Sequence, residues 1–211
     1  MKPYVVELEV SGPLAMFARP DTGATPTSYP APTWSAAKGL LESIARLSDG
    51  RAWLHPTRVE ICRHRDAQGG AVTYQRYATN YGGPLRKEQN VRSGTGMQVF
   101  ANVLSNVCYR IHADIRGVRS DGRENPRHHL QDLFLRRLRQ GHCYRTPALG
   151  LSEFTCDYWG PPRPDWGIDD ALDLEVPSML SSVWDRPQDG GYAPRFVQNV
   201  RIEKGVLSYA E

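Results

Sequence analysis

A basic stretch, ENPRHHLQDLFLRRLRQG at residues 124–141, contains the side chains of this sequence that are best suited to chemistry on a phosphodiester. Arg127, His128 and His129 lie next to one another near its start. Imidazoles give and take protons near neutral pH, and a guanidinium can offset the charge that develops on phosphorus during attack. These three residues could therefore cleave RNA without a metal ion, by attack of a 2′-oxygen on the adjacent phosphorus.

The same stretch predicts the helix that would position these side chains. Asn125 is a favourable N-cap, and Pro126 suits the first helical position. The unpaired N–H groups and positive dipole end of such a helix favour a phosphate beside residues 127–129. Apolar residues recur at helical spacing, and three arginines, Arg136, Arg137 and Arg139, fall largely outside that apolar stripe. Three interpretations stay open for the helix start: catalysis, phosphate binding, or a polar surface without further function.

The charge distribution favours a polyanionic partner. The net charge of the chain is +3, but residues 1–150 contain 21 basic and 12 acidic residues, whereas residues 151–211 contain 5 and 11. All but four of the 26 basic residues are arginine, whose planar fork suits phosphate and stacks on bases. We therefore expect a polyanion on one face of the protein and a protein neighbour on another.

The composition predicts a folded cytosolic protein. Apolar residues make up 40% of the chain, and no apolar run approaches the roughly 18 residues that span a bilayer. The first residues, MKPYVVELEVSG, alternate like a strand and lack the apolar centre of a signal peptide. No membrane association is predicted.

The cysteines predict reduced, buried thiols. Cys62, Cys108, Cys143 and Cys156 show no paired spacing of the kind found in disulfide frameworks or zinc fingers. The pairs Cys62 with His64 and His142 with Cys143 leave a weak zinc alternative, because each could offer two ligands. We expect neither a metal ion nor another cofactor.

The elements before the basic helix are predicted from their periodicity. Residues 3–10 alternate as a strand that Ser11-Gly12-Pro13 would stop. Residues 33–50 predict a helix with Thr33 as its N-cap and Gly50 at its end. Gly39 inside this helix indicates a close approach, either by a packed strand or by an RNA backbone.

The remaining elements suggest the fold class. Strands are predicted at 71–81, at 108–118 and, within 52–62, in the part that follows Pro56. A short helix is predicted at 97–107, and the chain ends in a hairpin that turns near Lys204-Gly205. The order fits an α+β fold, a ferredoxin-like domain of the type found in RNA-recognition (RRM-like) modules. We expect this domain over residues 1–145, with a β-hairpin insertion at about 66–96, and a small C-terminal β-rich region over 146–211.

Several stretches resemble a known family. TPTSYPAPTWSAAKGLLESI (25–44), NVLSNVCYRIHADI (102–115) and ENPRHHLQDLFLRRLRQGHCYRTPALGLSEF (124–154) are similar to conserved blocks of the CRISPR-associated Cas-five proteins of the RAMP superfamily. The similarity is greatest to the type I-C (Dvulg) branch. The resemblance implies a ferredoxin-like domain that binds the 5′ handle of CRISPR RNA within a type I surveillance complex (Cascade), beside backbone Cas-seven-type and large Cas-eight-type subunits.

In the type I-C branch, the resemblance also implies a metal-independent endoribonuclease that processes the precursor transcript. The implied active site is a tyrosine after the E-S-I of the first helix, followed by a Lys-His pair. This chain has Ala45 at the tyrosine position and His128 at the lysine position, and retains His129. His128 and Arg127 could take over the stabilisation of charge. A catalytically inactive RNA-binding subunit, or a general RNA-recognition domain outside CRISPR systems, are the alternatives.

Other basic and aromatic residues in and between these blocks are candidate RNA contacts. Arg19 and Tyr29 flank a proline-rich loop, and Lys38 lies opposite the apolar stripe of the first helix. Arg76, Arg86 and Lys87 belong to the predicted hairpin insertion. A solvated charged surface is the alternative for each of them.

Overall fold

One antiparallel sheet and two helices make up the parts of the chain that the computed structural model describes, which are residues 4–81, 97–118, 125–185 and 191–209. The helices are α1 (Trp34–Ile44) and α2 (Pro126–Gln140). The strands are β1 (Val5–Ala15), β2 (Ala52–His64), β3 (Tyr74–Tyr81), β4 (Met97–Gly117), β5 (Tyr158–Gly160), β6 (Trp166–Ile168), β7 (Leu174–Ser182), β8 (Arg195–Glu203) and β9 (Val206–Ser208). The protein is therefore of mixed α/β class.

The strand order in the sheet is β5-β1-β4-β2-β9-β8-β7, with β3 paired to β4 and β6 paired to β2. Both helices pack on the face that presents Val6, Leu8 and Val10 of β1, all of which are buried. Strands on both sides of residue 145 share this sheet, because β5 pairs with β1 and β9 pairs with β2. The division of the chain at that residue remains a prediction. Neither helix of the described residues has the length and apolar composition needed to cross a membrane.

Strand β1 is longer than the sequence predicts. It continues through the predicted stop, Ser11-Gly12-Pro13, to Ala15. Pairing with β4 is interrupted at Pro13 alone: Gly12 lies opposite Val107, and Leu14 lies opposite Ser105. A Cβ on Gly12 would lie 2.8 Å from Leu149 Cδ1, so this glycine permits a close crossing of a later segment rather than ending the strand.

Helix α1 begins where the sequence predicts and ends earlier. Thr33 is the N-cap, and its side chain accepts a hydrogen bond from the amide of Ala36. The helix stops at Ile44, six residues before Gly50, and Ala45 is extended with φ −150°. Segment 137–145 supplies the reason, because its donors bind the carbonyl groups of Ser43 and Ile44 at the helix end.

The predicted short helix at 97–107 is wrong, because these residues are the first half of β4. The pairing of β4 with β3 runs from Met97 opposite Tyr81 to Leu104 opposite Tyr74. The hairpin arm predicted at 71–81 is therefore correct. Ala101 and Val103 are buried, whereas Phe100 and Asn102 are partly exposed. The partner strand satisfies the backbone groups of the segment, and its local helical preference is overridden.

The C-terminal hairpin is confirmed. Strands β8 and β9 join through Lys204 and Gly205, whose φ values of 49° and 74° are those of a type I′ turn. Helix α2 is also confirmed, with Asn125 as N-cap and Gly141 in the left-handed conformation after its end.

The second face of the sheet contains a buried carboxylate. Glu9 of β1 is fully buried, and its Oε2 accepts a hydrogen bond from Arg110 Nε at 2.9 Å. Its Oε1 accepts from Arg163 Nε at 2.7 Å. Arg163 also donates to Ser11 and lies over the rings of Tyr158 and Trp166, so this acid adds a side-chain link between β1 and the segment that carries β5 and β6, beside the backbone pairing of β5 with β1.

We expect Glu9→Ala to lower the free energy of unfolding by about 3–5 kcal/mol, because two partly buried guanidinium groups would lose their counter-charge. Glu7→Ala, on the same strand and face but at a partly exposed carboxylate, should cost no more than about 1 kcal/mol. Chemical unfolding followed by tryptophan fluorescence measures both. Equal costs for the two variants would contradict the structural role of Glu9.

A pH dependence follows from Glu60 in β2. The imidazole of His112, 2.9 Å from its Oε1, lowers the pKa of Glu60 below the ordinary glutamate value. Ionised Glu60 therefore stabilises the fold above that ordinary value, and the contribution is lost as the pH falls through the lowered pKa. We expect the stability of Glu60→Gln to change less than that of the unmodified protein between about pH 6 and pH 3. Glu153→Gln, at an exposed site, should retain the full pH dependence in the same unfolding series.

Candidate nucleic-acid interface

The first turn of α2 is capped from within the protein. Asn125 Oδ1 accepts hydrogen bonds from the amides of Arg127 and His128, at 3.2 and 3.5 Å, and the amide of His129 donates to the Asn125 carbonyl. Pro126 has no amide hydrogen. The unpaired N–H groups that the sequence suggested for phosphate binding are therefore already occupied, and binding at this helix start depends on its side chains.

Two of those side chains, Arg127 and His128, lie against Tyr4, which the sequence analysis did not select. The Arg127 guanidinium carbon lies 5.5 Å from the centroid of the Tyr4 ring, and the His128 ring approaches the same ring edge-on at 6.3 Å. Asn125 Nδ2 donates to the Tyr4 hydroxyl at 2.8 Å. His128 and His129 are exposed. Arg127, His128 and the Tyr4 ring thus form one surface, and His129 is exposed at the next position of the same helical turn; we call these four residues the Tyr4 cluster (Tyr4, Arg127, His128 and His129).

The three later arginines of α2 have different surroundings. Arg136 is exposed. Arg137 Nη1 donates to the carbonyl of Ile44 at 2.8 Å, so it caps the end of α1. Arg139 Nε bends back to the carbonyl of Leu135 at 3.3 Å. Arg136 and Arg139 remain candidates for RNA contact, whereas the contact made by Arg137 is structural.

A second polar surface lies where α1 ends. Ala45, at the position of the family tyrosine, is fully buried. The next residue, Arg46, has its guanidinium 4.8 Å from the centroid of the Tyr144 ring and its Nη2 3.4 Å from the Tyr144 hydroxyl. The amides of Tyr144 and Arg145 both donate to the Ser43 carbonyl, at 2.8 and 2.9 Å. The fold therefore places an exposed tyrosine beside the position where the chain lacks one.

The candidates outside α2 fall into separate environments. Arg19 makes two hydrogen bonds to Asp21, at 3.0 and 2.6 Å, and the hydrogen bond raises the pKa of its guanidinium. Arg76 on β3 is exposed, with its guanidinium 4.1 Å from the Phe100 ring. Arg86 and Lys87 lie outside the described residues.

Tyr29 and Lys38 are engaged in packing. Tyr29 is only 1% exposed, and its hydroxyl accepts from the Leu180 amide at 3.0 Å, so the expectation that it touches RNA is corrected: burial removes it from the surface. Lys38 Nζ is 2.8 Å from Asp185 Oδ1 and lies over the Trp34 ring. That ion pair fastens the region after β7 to α1.

The zinc alternative gains no support from the side-chain positions. Cys62 is buried in β2, and the two pairs of cysteine and histidine do not form a ligand group within the described residues. The group with ligand-like spacing in that part of the chain is Glu7, Glu60 and His112, on three adjacent strands. Its spacing follows from the contacts of His112 Nε2 with Glu60 Oε1 at 2.9 Å and with Glu7 Oε1 at 3.5 Å.

Comparison with known proteins adds independent information. A family model described as CRISPR-associated protein (Cas_Cas5) matches residues 5–159. The CRISPR pre-crRNA endoribonuclease Cas5d of Thermus thermophilus is 31% identical over 224 aligned residues, covering 96% of this chain and 90% of the relative. The protein of the same name from Mannheimia succiniciproducens is 28% identical over 166 residues, covering 72% of this chain and 71% of the relative.

Solved structures share the fold. A crystal structure of a CRISPR-associated protein gives a TM-score of 0.64 at 18% identity, covering 98% of this chain and 92% of that one. A functionally uncharacterized Streptococcus mutans protein gives 0.65 at 16% identity, with the same coverage. The fold thus defines a mixed α/β protein whose described residues form one antiparallel sheet with two helices packed on it. Within that class, the chain belongs to the CRISPR-associated Cas5 family, and the family resemblance read from the residues is confirmed.

We expect Asn125→Ala to lower the free energy of unfolding by about 1 kcal/mol, because two amides of α2 lose their acceptor. The substitution also removes the donor to the Tyr4 hydroxyl, so the tyrosine should become more mobile. Thermal unfolding and the NMR line widths of the Tyr4 ring test the two parts. Gln140→Ala, at the exposed opposite end of α2, is the control and should change neither.

Proposed function

We propose that this chain is the RNA-binding subunit of a type I CRISPR surveillance complex (Cascade) and holds the 5′ handle of the CRISPR RNA. The observation that carries the proposal is membership of the Cas5 family, together with a 31% identical relative that is named as a processing enzyme of CRISPR transcripts. The Tyr4 cluster supports it, because a guanidinium beside an aromatic ring offers a phosphate contact and a stacking surface together.

The finer description of the fold belongs to the same proposal. The order β5-β1-β4-β2 with antiparallel neighbours supports a ferredoxin-like core, since α1 connects β1 to β2 and α2 lies between β4 and β5. The hairpin of β3 and β4 corresponds to the predicted insertion. Placement in the type I-C branch, contact with Cas-seven-type and Cas-eight-type subunits, and action in the cytosol are further parts of the proposal.

The second candidate function is cleavage of the precursor transcript, favoured by the names of both relatives. His129 would take the proton of the 2′-hydroxyl, His128 would protonate the leaving 5′-oxygen, and Arg127 would offset the charge on phosphorus. The exposure of both imidazoles leaves them accessible to a transcript. Ala45 removes the family tyrosine, so this chemistry rests on residues of α2.

Incubation of the purified protein with its repeat RNA in EDTA tests both functions. Binding without cleavage supports the RNA-binding subunit alone, whereas one product ending in a 2′,3′-cyclic phosphate supports the nuclease. Equal affinity for repeat RNA and scrambled RNA at physiological salt would replace the proposal with general RNA recognition. Absence of binding to either RNA would overturn it.

If cleavage occurs, we expect the double variant His128→Ala/His129→Ala to lose at least about a hundredfold in single-turnover rate, since proton transfer would be lost at both steps. Binding of repeat RNA should remain within about threefold, because phosphate contacts from arginine persist. His142→Ala, an exposed histidine just after α2, is the matched control and should cut normally. An unchanged rate in the double variant would show that the chemistry lies elsewhere.

A further inference from the structure

Gly39 occupies an exposed position in the middle of α1, where glycine destabilises a helix relative to any ordinary residue. A Cβ built on Gly39 meets no atom within 4 Å. No strand or side chain of the described residues therefore requires a glycine here, and the packing explanation suggested by the sequence is wrong. The space above Gly39 is available to something outside the chain.

Gly39 lines a groove of about 430 Å³ between α1 and segment 145–155. That volume lies in the range of small-ligand sites. The far wall is fixed in place, because the amides of Tyr144 and Arg145 bind the Ser43 carbonyl and Gly150 packs on the backbone of Met16. Gly150 has φ +98°, and a Cβ there would collide with the Met16 carbonyl oxygen, so only glycine permits this close packing. The groove is thus held open by backbone contacts rather than by bulky side chains.

The chemistry of the lining matches a nucleotide. Arg145 is the charged residue among the described lining residues, and no acid is among them. The other polar groups are hydroxyls, Ser43, Thr146, Ser152 and Thr155. Tyr144, which precedes Arg145 and lies outside the lining, has a ring that is 59% exposed and contacts the Arg46 guanidinium. A guanidinium and hydroxyls for a phosphate, with an exposed aromatic ring for a base, are the components of a single-stranded nucleic-acid site.

We propose that this groove binds a nucleotide of single-stranded RNA, with its phosphate at Arg145 and its base against the adjoining Tyr144 ring, and that the absence of a side chain at Gly39 lets the RNA backbone lie on α1. The inference rests on the proposed RNA-binding function and assigns it a site separate from the Tyr4 cluster. It also places a tyrosine hydroxyl on RNA close to the end of α1, where Ala45 leaves the chain without one.

Gly39→Gln tests the inference, because it separates stability from binding. Glutamine favours the helix, so the melting temperature should rise by roughly 2–4 °C. The same side chain fills the groove, so the dissociation constant for a fluorescein-labelled single-stranded RNA of about twelve nucleotides should rise at least about tenfold. Gly191→Gln, at another glycine whose Cβ would meet nothing within 4 Å, is the matched control for binding and should leave it unchanged.

Tyr144 supplies a second test that does not depend on Gly39. Tyr144→Ala should weaken RNA binding about tenfold, and Tyr144→Phe should restore it, since stacking needs the ring and not the hydroxyl. Tyr192→Ala, at an exposed tyrosine elsewhere, should bind normally.

The outcomes distinguish the two proposals. Normal RNA binding by Gly39→Gln and Tyr144→Ala overturns the groove inference, and the proposed function then stands on the Tyr4 cluster. No RNA binding by the unmodified protein overturns both. A stabilised Gly39→Gln that binds RNA poorly supports both, because a purely structural glycine would not couple those two changes in opposite directions.

Discussion

Backbone hydrogen bonds made by β4 join β1, β2 and β3 into one sheet, and the remaining structure is arranged around that strand. Its first half pairs with β3, and its second half lies between β1 and β2. Since β1 and β2 already satisfy the backbone hydrogen bonds at both edges of this second half, a helix can pack there only on a face of the sheet. The other face contains the buried Glu9, whose two arginine partners tie the later segment to β1. The positions of α1, α2 and segment 145–155 follow from this frame.

The frame determines which polar groups are available to a ligand. At the start of α2, Asn125 accepts hydrogen bonds from the free amides, so the side chains of the Tyr4 cluster decide what binds. At the end of α1, Arg137, Tyr144 and Arg145 use their donors on helix carbonyls, which fixes the neighbouring wall of the groove. In both places, a local capping bond holds an aromatic ring and a guanidinium side by side. Cations that are positioned in this way lose less entropy on binding than freely moving ones.

The tyrosines of this protein differ in position from the one that the family resemblance implies. The resemblance implies a tyrosine after the first helix, whereas this chain has a buried alanine there. The tertiary structure brings two other tyrosines next to cations, Tyr4 beside Arg127 and Tyr144 beside Arg46. Both lie far in sequence from the cations they meet. Loss of a side chain at one position therefore does not remove its type of chemistry from the surface.

The sequence by itself determined the features that depend on neighbours in the chain: α2 with its Asn125 cap and Gly141 end, the start of α1 at Thr33, and the turn at Lys204-Gly205. Capping and turn formation are local, so residue type and spacing suffice to predict them. Only the tertiary structure decided that residues 97–107 form a strand, that α1 ends at Ile44, that Tyr29 is buried, and that Gly39 faces a groove. Each of these depends on contacts with residues distant in sequence: β3 pairs with residues 97–104, Arg137 binds the end of α1, and the Leu180 amide binds Tyr29. The open space above Gly39 likewise depends on which distant segments pack near α1. A local sequence pattern does not encode such contacts.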